Sequence, residues 1–268
     1  MAQLLRKIKR ALLNSDPSFC DMYADEESRT AAAEYLDLVR RHLRERFGNQ
    51  LLTILDAGCQ AGRLLIPLAQ DGHRLIGIDT SGFALHRARQ HAKDHRLSVL
   101  VHRGNIAHLR RWVSPLSLDA VICTEVLYLC RNHQELLRLL ADSVKPGGLL
   151  FVSHRPAMYY VVCALRRGQP DQAISVAHRS EGATPEGAYF NWQTPEQLAA
   201  LYHRQGLATL GCYPIHEDRV QLDPAIIQDN ALRDLLDSAR ENGTTLRVPS
   251  YLLIAAQKPQ DASPLLHP

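Results

Sequence analysis

Between residues 51 and 155 the chain alternates short, near-continuous apolar runs with amphipathic stretches. The runs read "LLTILDAG", "HRLIGID", "LSVLVHRG", "LDAVICTEVL" and "GGLLFVSH". A strand with one wet face alternates apolar and polar residues, whereas a parallel strand covered by helices on both faces is apolar throughout. Joined by short connections, these segments predict an α/β fold: a doubly wound, mostly parallel sheet with helices on both faces.

The remaining segments arrange themselves around that sheet. "RTAAAEYLDLVRRHLRERFG" predicts a helix stopped by Gly48. Upstream, "LLRKIKRALL" places Leu5, Ile8 and Leu12 on one helical face. Such a basic amphipathic helix packs on its own domain or touches an anionic membrane surface. After His154 the alternation breaks. Residues 157–190 hold the apolar piece "MYYVVCAL" and then a stretch punctuated by Gly168, Pro170, Gly182, Pro185 and Gly187, a composition suited to a lid. Order returns with the helix "TPEQLAALYHRQG", capped by Thr194 and Gln197, and the strand "LATLGCYPI". A helix from Asp223 to Ala239 and the strand "PSYLLIAAQK" complete a sheet of seven strands. The expected organisation is an N-terminal helical cap over 1–49, one domain over 50–259 that includes the lid 157–190, and a flexible tail over 260–268.

Composition excludes some functions. A net charge of +3 with scattered basic residues gives no polybasic arm, so nucleic acid is not expected as a partner. Six cysteines lie in no zinc-like spacing, which argues against a metal site and for a reducing, cytoplasmic setting. No apolar run reaches the roughly 20 residues needed to span a bilayer, so no transmembrane segment is expected.

The chemistry is written in "TILDAGCQAGRLLIPLAQDG", residues 53–72, where a strand runs through a turn with two glycines into a helix. In open parallel sheets ligands bind beyond the carboxyl ends of the strands. Gly58 and Gly62 let the backbone approach a ligand closely. The next strand ends in Asp79, 21 residues beyond Gly58, and a carboxylate there can accept hydrogen bonds from a ribose diol. Asp56, at the mouth of the turn, would repel a pyrophosphate. Gln60 stands where a dinucleotide turn needs bare backbone. Both residues disfavour NAD and favour S-adenosylmethionine, which carries an ammonium and a sulfonium and no phosphate.

These residues resemble the class I S-adenosylmethionine-dependent methyltransferases, which share a Rossmann-like fold. "LDAGCQAG" resembles their first motif, here with Asp56, Gly58, Cys59, Gln60 and Gly62. "IGIDTS" resembles the second, with Asp79 on the ribose and Thr80 beside it. "GNI" resembles the adenine-contacting segment, with Asn105 in place of the frequent aspartate and Ile106 after it. "VICTEVLYL" resembles the fourth strand and its pocket-facing end, where Glu125 reaches the methionine part of the cofactor or pairs locally. "LADSVKPGGLLFVS" resembles the helix, turn and strand that follow. Tyr23 resembles an N-terminal aromatic that closes over the cofactor in some relatives, and it fits a core or surface role equally.

The resemblance implies S-adenosylmethionine as cofactor, S-adenosylhomocysteine as product, and a small-molecule acceptor above the ends of the fourth and fifth strands. Those ends carry Tyr128, His154 and Arg155. His154 is the candidate general base, with a structural or orienting role as the alternative. Tyr128, Arg155, Tyr159 and Trp192 are the candidate acceptor contacts, with Tyr160, Tyr189 and Phe190 nearby in sequence. The expected activity is methyl transfer to a small molecule, on oxygen. A non-catalytic cofactor-binding module, a NAD-dependent oxidoreductase and an RNA methyltransferase are the rivals.

Overall fold

The computed structural model describes residues 21–183, 188–222 and 228–260. The basic N-terminal segment with Leu5, Ile8 and Leu12, the positions Pro185 and Gly187, the expected helix start at Asp223 and the tail after 260 lie outside the described residues.

Helix α1, Glu26–Phe47, begins at Asp25, whose carboxylate accepts from the Ser28 N–H, and ends at Gly48 in a left-handed conformation. Then come β1 Thr53–Ala57, α2 Leu65–Gln70, β2 Arg74–Asp79, α3 Gly82–Asp94, β3 Leu100–Arg103 and β4 Leu118–Cys123. The parallel register sets Ile54 beside Leu75 on β2 and Ala120 on β4. Ile54, Leu55 and Ala57 have no exposed surface, which accounts for the unbroken apolar run.

Helix α4, His133–Ser143, leads into β5, Val144–His154. The stretch expected to be an irregular lid is mostly helical: α5 Ala157–Arg166 and α6 Pro170–Ala177 precede the hairpin β6 Glu181–Ala183 and β7 Tyr189–Asn191. Gly168, in a left-handed conformation, and Pro170 at the first turn of α6 break the helical period that a sequence scan needs. Helix α7, Pro195–Arg204, carries both hydrogen bonds of the Thr194–Gln197 capping box. Strand β8 Ala208–Gln221, helix α8 Asn230–Ser238, β9 Arg240–Asn242 and β10 Thr245–Gln257 complete the described chain.

The strands hydrogen-bond in the order β3-β2-β1-β4-β5-β10-β8, with β9 on β10. Among the described residues the sheet therefore has eight strands where seven were expected. The extra one is short β9, whose polar "REN" gives no strand signal and which pairs only with the start of β10. Strands β8 and β10 are antiparallel and run far beyond the apolar segments that announce them.

The chain forms two compact units. The first, over described residues 21–123, 138–151 and 258–260, holds β1–β4 and buries Tyr35, Val39, Ile54, Leu65, Ile78 and Leu85. The second covers 124–137 and 152–257. Its core joins Val161 and Met158 of α5, Ala173 and Val176 of α6, Trp192, Leu232 and Leu236 of α8 and Leu246 of β10. The expected lid is thus built into the core of its own unit. Among the described residues, no helix is long and apolar enough to cross a membrane.

Candidate cofactor and acceptor site

In the first unit, the turn after β1 is anchored to β2. The Ile78 carbonyl accepts from the N–H groups of Gly58 at 2.7 Å and Cys59 at 3.2 Å. Gly62 has φ +95°, and a Cβ there would sit 2.9 Å from Cγ1 of Ile66, so the start of α2 requires glycine. Cys59 is buried, its Sγ against Gly77, where a Cβ would lie 2.8 Å from it. Its side chain faces the protein and only its backbone is left to line the turn.

Gln60 adopts φ +46°, a left-handed conformation costly for a residue with a Cβ. Its own groups offset that cost. Its N–H donates to Oδ2 of Asp79 at 3.0 Å, and its Oε1 accepts from the N–H groups of Ala61 at 2.5 Å and Met22 at 3.3 Å. Asp79 also accepts from the Ser81 N–H through Oδ1 at 2.8 Å. Each carboxylate oxygen keeps a second lone pair. The ribose-binding candidate is therefore held in place by the glycine turn itself.

Asp56 lies beneath this turn, 2% exposed. Burial pushes its carboxyl up to about 7, against the opposing pull of Arg63. Asn105 caps the short helical turn Ile106–Arg111, its Oδ1 accepting from the Ala107 N–H at 2.9 Å. Ile106 is buried, and the Thr80 carbonyl accepts from Nε of Arg103 at 3.2 Å. Ahead of α1, Asp21 accepts from Arg87 at 2.7 Å and contacts His91 at 3.0 Å. The ring of Tyr23 lies 4.3 Å from that of His91, and its hydroxyl is 2.6 Å from Nε2 of His95. Residues 21–25 are thus clasped to α3.

The second unit gathers another cluster, on the residues that follow β4 and β5. The Arg155 guanidinium carbon lies 4.8 Å from the ring centre of Tyr128, 4.1 Å from that of Tyr159 and 4.4 Å from that of Tyr251. Its Nη2 donates to the Tyr251 hydroxyl, which donates in turn to Oε2 of Glu125 at 3.1 Å. Glu125 itself takes a left-handed φ of +62°, and its N–H donates to the Ser153 hydroxyl at 2.7 Å. Phe190 stacks on Tyr128 at 6.2 Å.

Against this geometry, the "Methyltransferase domain" family matches residues 49–198, more than half of the chain. This chain belongs to the class I methyltransferase family.

It is 35% identical over 126 residues to the ubiquinone biosynthesis O-methyltransferase of Methylocella silvestris, covering 44% of this chain and 48% of that protein. It is 27% identical over 206 residues to the enzyme of the same name from Hydrogenovibrio crunogenus, covering 72% and 81%. The first of these alignments spans about half the length of the curated relative. Among solved structures, magnesium protoporphyrin IX methyltransferase from Synechocystis PCC 6803, with S-adenosylhomocysteine bound, superposes with a TM-score of 0.61 at 15% identity, over 96% of this chain and 99% of that one. The YcgJ protein of Bacillus subtilis superposes with 0.57 at 16% identity, over 85% and 99%. At such identities these two show the fold.

S-adenosylmethionine is the cofactor of such a methyltransferase, and the residues of the first unit fit it. The left-handed turn exposes backbone beside the Asp79 carboxylate, and the negative charge available at Asp56 suits a cationic ligand.

Two of the side chains expected at the acceptor, His154 and Trp192, are buried, and the Trp192 ring lies 5.1 Å from that of Tyr160. His154 is 1% exposed, with Nε2 2.9 Å from the Tyr202 hydroxyl and Nδ1 buried without a partner. Burial brings its pKa down to about 3, too weak a base for proton abstraction near neutrality. It is the last residue of β5. Trp192 is 6% exposed and donates from Nε1 to the carbonyls of Val176 at 3.1 Å and Arg179 at 2.8 Å. It belongs to the core of α5, α6 and α8.

Sequence reasoning missed Tyr251 and Arg63. A phenol at the head of the apolar "YLLIAA" was the available signal for the first. Nothing local marks Arg63, which lies 5.6 Å over the ring of Tyr35.

Proposed function

We propose that the protein transfers the methyl group of S-adenosylmethionine to an oxygen of a small-molecule acceptor. The observation that carries this is the Asp79 carboxylate fixed by the N–H groups of Gln60 and Ser81 at the mouth of a glycine turn. The O-methyltransferase names of the relatives support the choice of oxygen. The second unit supplies Tyr128, Arg155, Tyr159 and Glu125, gathered with Tyr251, as the acceptor-binding group.

When bound, S-adenosylmethionine supplies the methyl group on an activated sulfonium, so the protein has mainly to bind and align. Asp79 would hold the ribose hydroxyls, and the backbone at 58–62 and Asn105 would line the cofactor. Ionised Asp56 favours the positive charge of the cofactor over the neutral product, which aids release. The Tyr251 hydroxyl donates to Glu125 and accepts from Arg155, which orients the guanidinium.

The reading is tested by titrating the purified full chain calorimetrically with S-adenosylhomocysteine and with NAD, then adding methyl-labelled cofactor to a small-molecule extract. Binding of S-adenosylhomocysteine alone, followed by a labelled methyl ether or ester, is the expected result. NAD binding without S-adenosylhomocysteine binding overturns it. Cofactor binding with no labelled product from any extract leaves a binding module.

A further inference from the structure

Arg155 is a cation packed against aromatic rings without an anion of its own. Its guanidinium carbon is within 5 Å of the ring centres of Tyr128, Tyr159 and Tyr251. Its Nε is buried and has no hydrogen-bond partner. Among the described residues, no ion pair includes Arg155: the acid of the cluster, Glu125, reaches it only through the Tyr251 hydroxyl. Beside it, the Tyr160 hydroxyl is likewise buried and unpartnered, its ring 5.4 Å from that of Tyr159. Aromatic faces stabilise a cation in part. They do not hydrogen-bond an N–H, and a buried charged donor left unpaired is costly. The group missing from this arrangement accepts hydrogen bonds, carries negative charge and tolerates aromatic walls.

We propose that Arg155, with the Tyr160 hydroxyl, recognises a carboxylate on the methyl acceptor, whose apolar or aromatic body lies among Tyr128, Tyr159 and Tyr251. This rests on the acceptor reading of the second unit and names its substrate class. A carboxylate matches a guanidinium in planarity and in single charge. A phosphate dianion requires a second cation, and the nearby charged partner in the cluster is the acid Glu125, which disfavours it. The same acid, neutralised in part by the Tyr251 bond, keeps the unliganded guanidinium from being wholly uncompensated. Rings of tyrosine, unlike aliphatic walls, favour a flat unsaturated body through offset stacking and edge contacts.

The test uses the full chain saturated with S-adenosylhomocysteine and matched probes: benzoate, 4-hydroxybenzoate and 4-hydroxycinnamate against their primary amides. Binding is read by calorimetry and by the rise in melting temperature. At least one carboxylate is expected to bind tenfold or more tightly than its amide. Arg155→Gln should abolish that preference while S-adenosylhomocysteine affinity stays within about threefold, and Arg155→Lys should restore it only partly, because an ammonium lacks the planar fork. Equal affinity for acids and amides, no binding of any carboxylate, or a preference that survives Arg155→Gln overturns the proposal. Should Arg155→Gln fail to fold, the acid–amide comparison on the unaltered protein decides alone, with Tyr160→Phe as the second variant. Absence of S-adenosylhomocysteine binding by the unaltered protein counts instead against the methyltransferase reading.

Discussion

The backbone N–H of Gln60 donates to Oδ2 of Asp79 across 3.0 Å, so the turn after β1 and the carboxylate ending β2 are one hydrogen-bonded assembly. The left-handed backbone of Gln60 does what a glycine would do at this turn. Gln60→Gly is expected to keep S-adenosylhomocysteine affinity within a few fold, since the N–H to Asp79 survives. The lost bond from Met22 should show as faster hydrogen exchange at residues 21–25. A tenfold loss of affinity would mean that the Gln60 side chain touches the ligand.

Asp79→Asn retains one oxygen acceptor, so it loses one of the bonds from the Gln60 and Ser81 N–H groups and should lower the melting temperature modestly without unfolding the protein. It loses the charge that strengthens hydrogen bonds to the ribose, worth about 1.5–3 kcal/mol or roughly tenfold to a hundredfold in affinity. Calorimetry with S-adenosylhomocysteine measures this directly. An unchanged dissociation constant removes Asp79 from the site.

Asp56 gives a pH signature. Its folded-state carboxyl is raised to about 7 by burial, above the ordinary 3.8 of an unfolded chain. Between these values the folded protein holds a proton that the unfolded chain has lost. The contribution of Asp56 to stability therefore falls as pH rises from about 4 to about 7 and stays at its lowest above that. Asp56→Asn should raise the melting temperature at pH 8 by more than at pH 5. The same variant should weaken S-adenosylmethionine binding at pH 8, because a cationic ligand favours the ionised carboxyl. Equal thermal shifts at both pH values would contradict the assignment.

His154 offers the opposite kind of test. A buried imidazole brought down to about 3 remains neutral through the physiological range, so its titration leaves no mark near pH 6–7. His154→Gln or Tyr202→Phe should lower the melting temperature while leaving the pH dependence of methyl transfer unaltered. A shifted pH profile in His154→Gln with normal stability would restore it as the base.

What was legible in the sequence is what is local. The strand–turn–helix at 53–70 and the carboxylate closing the next strand, proposed to hold the ribose, declare themselves within a few tens of residues, by glycine positions and apolar runs. The helices α5 and α6 are hidden because Gly168 and Pro170 interrupt their period. The Arg155 cluster was half visible. Tyr128, Arg155 and Tyr159 follow the strand ends, but Tyr251 lies 96 positions away from Arg155 and is brought to it only by the pairing of distant strands. The burial of His154 and Trp192 was hidden for the same physical reason. Residue type announces chemistry, whereas side-chain direction is decided by strand pleat and by which core the ring fills.

The division of the chain into two units has a consequence for engineering. The backbone leaves the first unit after Cys123, returns at Arg138, leaves again after Phe151 and returns at Lys258. Neither unit is a continuous piece of polypeptide, so no single truncation isolates one of them, and fragments cut between the two will lack strands from both. The parts that differ in role are nonetheless separable as sequence. Exchanging the two excursions, 124–137 and 152–257, together with those of a relative would transplant the proposed acceptor-binding residues while every residue of the glycine turn and its carboxylate stays native. Exchange of either excursion alone would split Glu125 from Tyr251 and leave a chimera with half a recognition site.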